Sequence, residues 1–151
     1  MKKRSARTSF WRFLFIIYCN VIVWLLFGRE FGWDDGISYK EMLQQNINLT
    51  PFYTIKNYWR VIFGRTNDSV LLHCIINLAG NILLFIPIGI LAPKLWYKMR
   101  NFFVFFLVMF LSILIIELTQ LFTLLGCCDV DDIILNMIGL IMGYIIWSIT
   151  K

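Results

Sequence analysis

A chain of 151 residues with 60% hydrophobic and 15% charged side chains and a mean hydropathy of +0.74 is too apolar for a water-soluble domain. Soluble domains run about 45–50% apolar and about 25% charged. Disorder, collagen, coiled coils and disulfide-rich secreted scaffolds are excluded, and the length suits one domain of three or four spans of ~20 residues. The net charge of +5 does not imply nucleic acid, because the basic residues flank apolar runs and form no stripe.

The first run is Phe10 to Phe27, broken only by Arg12, whose long side chain can snorkel to the interface. A basic stretch precedes it, but the exit Phe27-Gly28-Arg29-Glu30 offers no small-residue cleavage site, so an uncleaved span is expected. Val70 to Leu91 forms the second run, Phe102 to Leu125 the third and Ile133 to Ile149 the fourth. None alternates in polarity like a barrel strand, and a helix satisfies its own backbone in lipid. The expected fold is an all-α membrane protein: one domain over 1–151 with four transmembrane helices and a long loop over 29–69. Gly28 to Gly36 reads as the loosest segment and a hinge.

Charge sets the expected orientation. Lys2, Lys3, Arg4, Arg7, Arg12, Lys94, Lys98, Arg100 and Lys151 fall on one side with no acid. The other side carries Arg29, Lys40, Lys56, Arg60 and Arg65 against eight acids, leaving Glu117 within a span. The positive-inside rule then puts both termini in the cytoplasm of a multi-pass cell-membrane protein. In the outer loop, Thr50-Pro51 reads as a hydroxyl N-cap followed by proline at the first helical position. Phe52, Ile55, Trp59 and Ile62 follow at helical spacing. This predicts an outer amphipathic helix, either lying in the interface or capping the bundle.

The polar residues inside the spans carry the functional reading. His73, Asn77 and Asn81 share one helical face, as do Glu117 and Gln120, and Asp132 and Asn136. With this orientation all lie in the outer halves of their helices, Glu117 ~12 Å below Leu125 at 1.5 Å per residue. Asp129 and Asp131 stand just above. A buried charge costs at least ~2.5 kcal/mol, so Glu117 is expected to face a polar interior. The carboxamides of Asn77, Asn81 and Asn136 taken alone read first as interhelical glue, whereas Glu117 with Asp129, Asp131 and Asp132 reads as functional. His73 alone is more often a packed ring than a ligand, and no metal spacing or cofactor motif is present. Gly80 suggests close approach of a neighbour, and Gly139-x-x-x-Gly143 close helix packing. Cys19 reads as a small core residue. Cys74 could bridge Cys127 or Cys128, or all could be free thiols.

These residues fall into ordered motifs: Asn48-Leu49-Thr50-Pro51-Phe52-Tyr53-Thr54-Ile55, Asn77-Leu78-Ala79-Gly80-Asn81, Phe85-Ile86-Pro87-Ile88-Gly89, Glu117-Leu118-Thr119-Gln120 and Asp129-Val130-Asp131-Asp132, then Asn136, Gly139 and Gly143. Together they resemble the VanZ-like family of bacterial integral membrane proteins. The resemblance implies a Gram-positive-type cell-envelope protein related to the accessory teicoplanin-resistance protein of glycopeptide resistance clusters. Family members often carry an Arg shortly before the acidic run. Here the approach is Leu124-Leu125-Gly126-Cys127-Cys128, leaving Arg60 or Arg65 as the available substitute. The expected partners are a membrane lipid, a lipid-linked envelope precursor or a lipoglycopeptide antibiotic. The expected ligand-binding residues are His73, Asn77, Asn81, Glu117, Gln120, Asp129, Asp131, Asp132 and Asn136. The alternatives are an intramembrane enzyme with Glu117 as general acid or base, and a small transporter or assembly partner.

Overall fold

The computed structural model describes residues 2–28, 36–64 and 67–151, with side chains from Thr8 onward. The hinge expected at Gly28–Gly36 falls largely outside the described residues, as does Arg65. Helix α1 covers Lys2–Phe27, and the loop contributes α2, Tyr39–Gln45, and α3, Tyr53–Phe63. Then come α4, Asp68–Leu83, α5, Ile86–Leu95, a 3-10 turn, α6, Phe102–Thr123, and α7, Val130–Thr150. Among the described residues four helical stretches are long and apolar enough to cross a membrane: Thr8–Phe27, Asp68–Leu95, Phe102–Thr123 and Val130–Thr150. The chain is an all-α, multi-pass membrane fold.

The second span breaks where α4 gives way to α5, at Leu84–Phe85. Pro87 has no N–H to return to the Leu83 carbonyl, and proline suits the first turn of the new helix, where it sits. At the break the Tyr18 hydroxyl of α1 donates to the Leu84 carbonyl at 2.7 Å. Helices α4 and α5 cross α7 backbone to backbone. A Cβ on Gly139 would strike the Ile82 carbonyl, one on Gly143 the Ile86 carbonyl, and one on Gly89 the Leu140 carbonyl. The Gly139/Gly143 pair therefore serves packing inside the bundle. Beneath this crossing Phe85, Ala92, Phe105, Ile113, Met137 and Leu140 form the core. Helix α1 stands at the margin, with Ile22 its one buried residue among those described. Gly80 differs from expectation: nothing lies within 4 Å of where its Cβ would stand, so it borders space and not a neighbouring helix.

The loop is tied to the far end of the bundle. Strand β1, Ile47–Asn48, pairs in parallel with β2, Cys128–Asp129, and the Cys128 N–H donates to the Asn46 carbonyl at 2.8 Å. The Tyr39 hydroxyl adds a bond to the Phe122 carbonyl at 2.7 Å. The expected cap of the loop helix is corrected. Thr50 spends its own N–H on Asn48 Oδ1, and its carbonyl, not its hydroxyl, takes the Tyr53 N–H at 3.3 Å. Phe52 turns left-handed at φ 63° and α3 starts at Tyr53. The N–H groups of Phe52 and Ile55 go to the two oxygens of Asp131, at 2.5 and 3.0 Å. The helix is therefore capped by a carboxylate from α7. It packs on α4 and touches α7. Ile55 and Ile62 are half-buried, while Trp59 and Phe63, whose ring centroids lie 4.5 Å apart with planes tilted by 43°, are 60% and 71% exposed.

Candidate functional site

At the end of the bundle where α4 and α7 begin and α6 ends, the loop roofs a cavity of about 530 Å³. Helix α4 supplies His73, Asn77 and Asn81, and α6 supplies Glu117 and Gln120. Asp129 comes from β2, and Asp132 and Asn136 from the first turns of α7. The helical spacings that put each group on one face thus bring eight of the nine candidate residues to one space. Asp131 is the exception. It is fully buried and its oxygens face the backbone of α3.

Hydrogen bonds fix the floor of the cavity. Asn81 Nδ2 donates across to Asp132 Oδ1 at 2.5 Å, the interhelical tie that a carboxamide in a span is expected to make. Glu117 is 2% exposed and accepts a long, 3.4 Å bond from the Asp129 N–H. Asp129 is the N-cap of α7, with Oδ1 taking the Asp131 N–H at 2.8 Å. Its Oδ2 takes the Thr54 hydroxyl at 2.5 Å and Asn48 Nδ2 at 3.1 Å. Gln120 Nε2 reaches the Leu26 carbonyl of α1 at 3.0 Å. Asn77 and Asn136 behave differently from Asn81: the Oδ1 of each is buried with no hydrogen-bond partner among the described residues.

His73 stands at the rim, exposed, edge-on to the Tyr58 ring at 6.5 Å. No three His, Cys, Asp or Glu groups among the described residues are arranged to hold a metal ion. Arg60 is exposed on α3 and does not line the cavity. All four cysteines are free thiols. Cys127 donates to Asn46 Oδ1 at 3.2 Å. Burial pushes the Cys128 thiol pKa up, with Glu117, Asp129 and Cys127 adding to it.

The loop residues of the cavity were not expected from sequence: Asn46, Asn48, Thr54 and Tyr58 all line it. Polar side chains in a loop read as solvated surface, and the available signal was the ordered motif from Asn48 to Ile55.

The comparison with known families matches these elements. The profile of the VanZ/LLP1 family covers residues 15–151, hence the last three spans, the greater part of the first, the roof and the cavity. The chain belongs to the VanZ/LLP1 family. It is 25% identical over 141 residues to Protein VanZ of Enterococcus faecium, an alignment covering 93% of this chain and 74% of that protein. No solved structure matches the chain. What this VanZ-family fold presents is a membrane bundle with carboxylates and carboxamides converging beneath an amphipathic roof helix.

Proposed function

We propose that this VanZ-family protein sits in the cell membrane with both termini in the cytoplasm. Its cavity opens toward the outer leaflet, where it binds a lipid-linked envelope component or the lipid portion of a lipoglycopeptide antibiotic. By holding that group it contributes to resistance of the teicoplanin type without catalysing a reaction. One observation carries the reading. The polar cavity shares Leu26, His73, Asn77 and Asn81 with an apolar recess of about 220 Å³ between α1 and α4. Leu25 and Ile76 in that recess are 41% and 60% exposed on membrane-spanning helices, so the recess is open to lipid. A polar chamber continuous with a lipid-facing groove suits a molecule with a polar head and an acyl chain.

The test is mass spectrometry of lipids that co-purify with the full chain from a Gram-positive host. Enrichment of a lipid-linked envelope component over its share of the bulk membrane is the expected result, and a profile equal to the bulk membrane would overturn the reading. The burial of Glu117 at 2% exposure on the cavity wall favours a second reading, an intramembrane enzyme acting on the same class of precursor. Its test is turnover of a lipid-linked precursor by the wild type that stops in Glu117→Gln.

A further inference from the structure

Four side-chain donors that line the cavity are already engaged, while two of its buried acceptors are open. Asn81 Nδ2 is held by Asp132, Gln120 Nε2 by the Leu26 carbonyl, Asn48 Nδ2 by Asp129 and Thr54, and the Thr54 hydroxyl by Asp129. The buried Oδ1 atoms of Asn77 and Asn136 have no donor among the described residues, and Asn136 is only 2% exposed. Glu117, Asp129 and Asp132 line the same space. No Lys or Arg lines it among the described residues. A buried carbonyl oxygen without a donor is costly. A phosphate brings only acceptors and negative charge, so it would add repulsion and satisfy neither oxygen. A primary ammonium brings three N–H donors and a positive charge.

We propose that the cavity receives the primary-ammonium headgroup of a membrane amphiphile. Its N–H groups bond Asn77 and Asn136 Oδ1, and its charge lies among Glu117, Asp129 and Asp132. The acyl chain leaves along the recess past Gly80, where a Cβ would meet nothing within 4 Å. The lipid's phosphate stays toward the mouth, away from the acidic floor. This inference rests on the reading of the cavity as a lipid-binding site and names the chemistry of its headgroup.

The experiment titrates the full detergent-solubilised chain with dioleoyl phosphatidylethanolamine, phosphatidylcholine and phosphatidylglycerol, read by native mass spectrometry. The choline lipid keeps the positive charge and lacks N–H donors, so it separates charge from hydrogen bonding. The ethanolamine lipid is expected to bind at least about tenfold tighter than either other lipid. Asn136→Leu is expected to abolish that preference while thermal stability holds or rises, because an unpartnered buried oxygen is removed. Gly80→Leu is expected to weaken all three lipids alike by filling the recess. Equal or tighter binding of the glycerol or choline lipid would overturn the ammonium inference and leave the lipid-binding reading standing. No retention of any lipid would overturn both. Lower stability in Asn136→Leu with unchanged ethanolamine preference would assign that side chain to packing and overturn the proposal.

Discussion

Asp131 and Asp132 are neighbours in the first turn of α7, yet their carboxylates go opposite ways. Asp131 caps α3 through the N–H groups of Phe52 and Ile55, while Asp132 lines the cavity and bonds Asn81. Successive residues of a helix point about 100° apart, so one acidic pair serves a roof and a chamber at once. Asp131→Ala removes the acceptor of two part-buried N–H groups at the start of α3, and losing such a cap costs about 1 kcal/mol. Its expected outcome is a lowered unfolding temperature in detergent and faster proteolysis between residues 48 and 63. Glu117→Gln keeps the shape of the side chain and removes its titratable proton. It is expected to leave membrane abundance near wild type and to abolish any resistance phenotype, which susceptibility assays of cells expressing each variant would read. Full activity in Glu117→Gln would make the carboxylate structural.

Two elements give tests of packing and of surface. Gly139 and Gly143 let α7 meet the α4–α5 break backbone to backbone. Gly143→Leu must push the Ile86 carbonyl away, an overpacking cost of about 1–3 kcal/mol or more. The expected result is reduced abundance and an earlier thermal transition, with no matching loss for Gly80→Leu, which grows into open space. Helix α3 presents Trp59 and Phe63 outward, a surface suited to the membrane interface. Trp59→Asp should therefore change stability in detergent by less than about 0.5 kcal/mol and still reduce activity in cells by weakening the seating of the roof. A large stability loss in detergent would mean that Trp59 is a packing residue. The spans were legible because each is a long apolar run, but the second was read as one helix and its break at Leu84–Phe85 was not foreseen, although Pro87 was the available signal. The true start of α3 was not legible, since its cap lies 79 residues away in sequence from Phe52 and no local pattern encodes such a partner. Nor was the β1–β2 pair, because two residues per strand carry no periodicity.

At the scale of the molecule the two ends differ in charge. Lys94 lies over the Trp11 ring at 3.6 Å, Arg100 over Tyr97 at 5.4 Å and Lys151 over Trp147 at 5.1 Å. The acidic cavity occupies the opposite end. Under the proposed orientation Cys127, which is exposed, reacts with a membrane-impermeant maleimide on intact cells under reducing conditions. Cys128 reacts more slowly, because a raised thiol pKa leaves less thiolate at neutral pH. Labelling of Cys127 only after permeabilisation would reverse the topology. The convergence of the cavity was legible in outline, since charge bias and helical spacing together fix the depth of Glu117, Asn77 and Asp132. Its roof was not, because the loop reaches the site through pairing with β2 and not through any periodic face.

The bond from Tyr18 to the Leu84 carbonyl joins residues 66 positions apart, and the one from Gln120 to the Leu26 carbonyl joins residues 94 apart. At a synthesis rate of about 5–20 residues per second, α1 waits ~3–13 s before its first acceptor exists. It waits as a lone span, its backbone satisfied internally and its apolar surface met by lipid, the first of two stages by which membrane helices insert and then associate. The boundary between α1 and α4 thus closes from a state in which α1 is already surrounded by acyl chains, so under the proposed reading the recess forms against lipid and not against water.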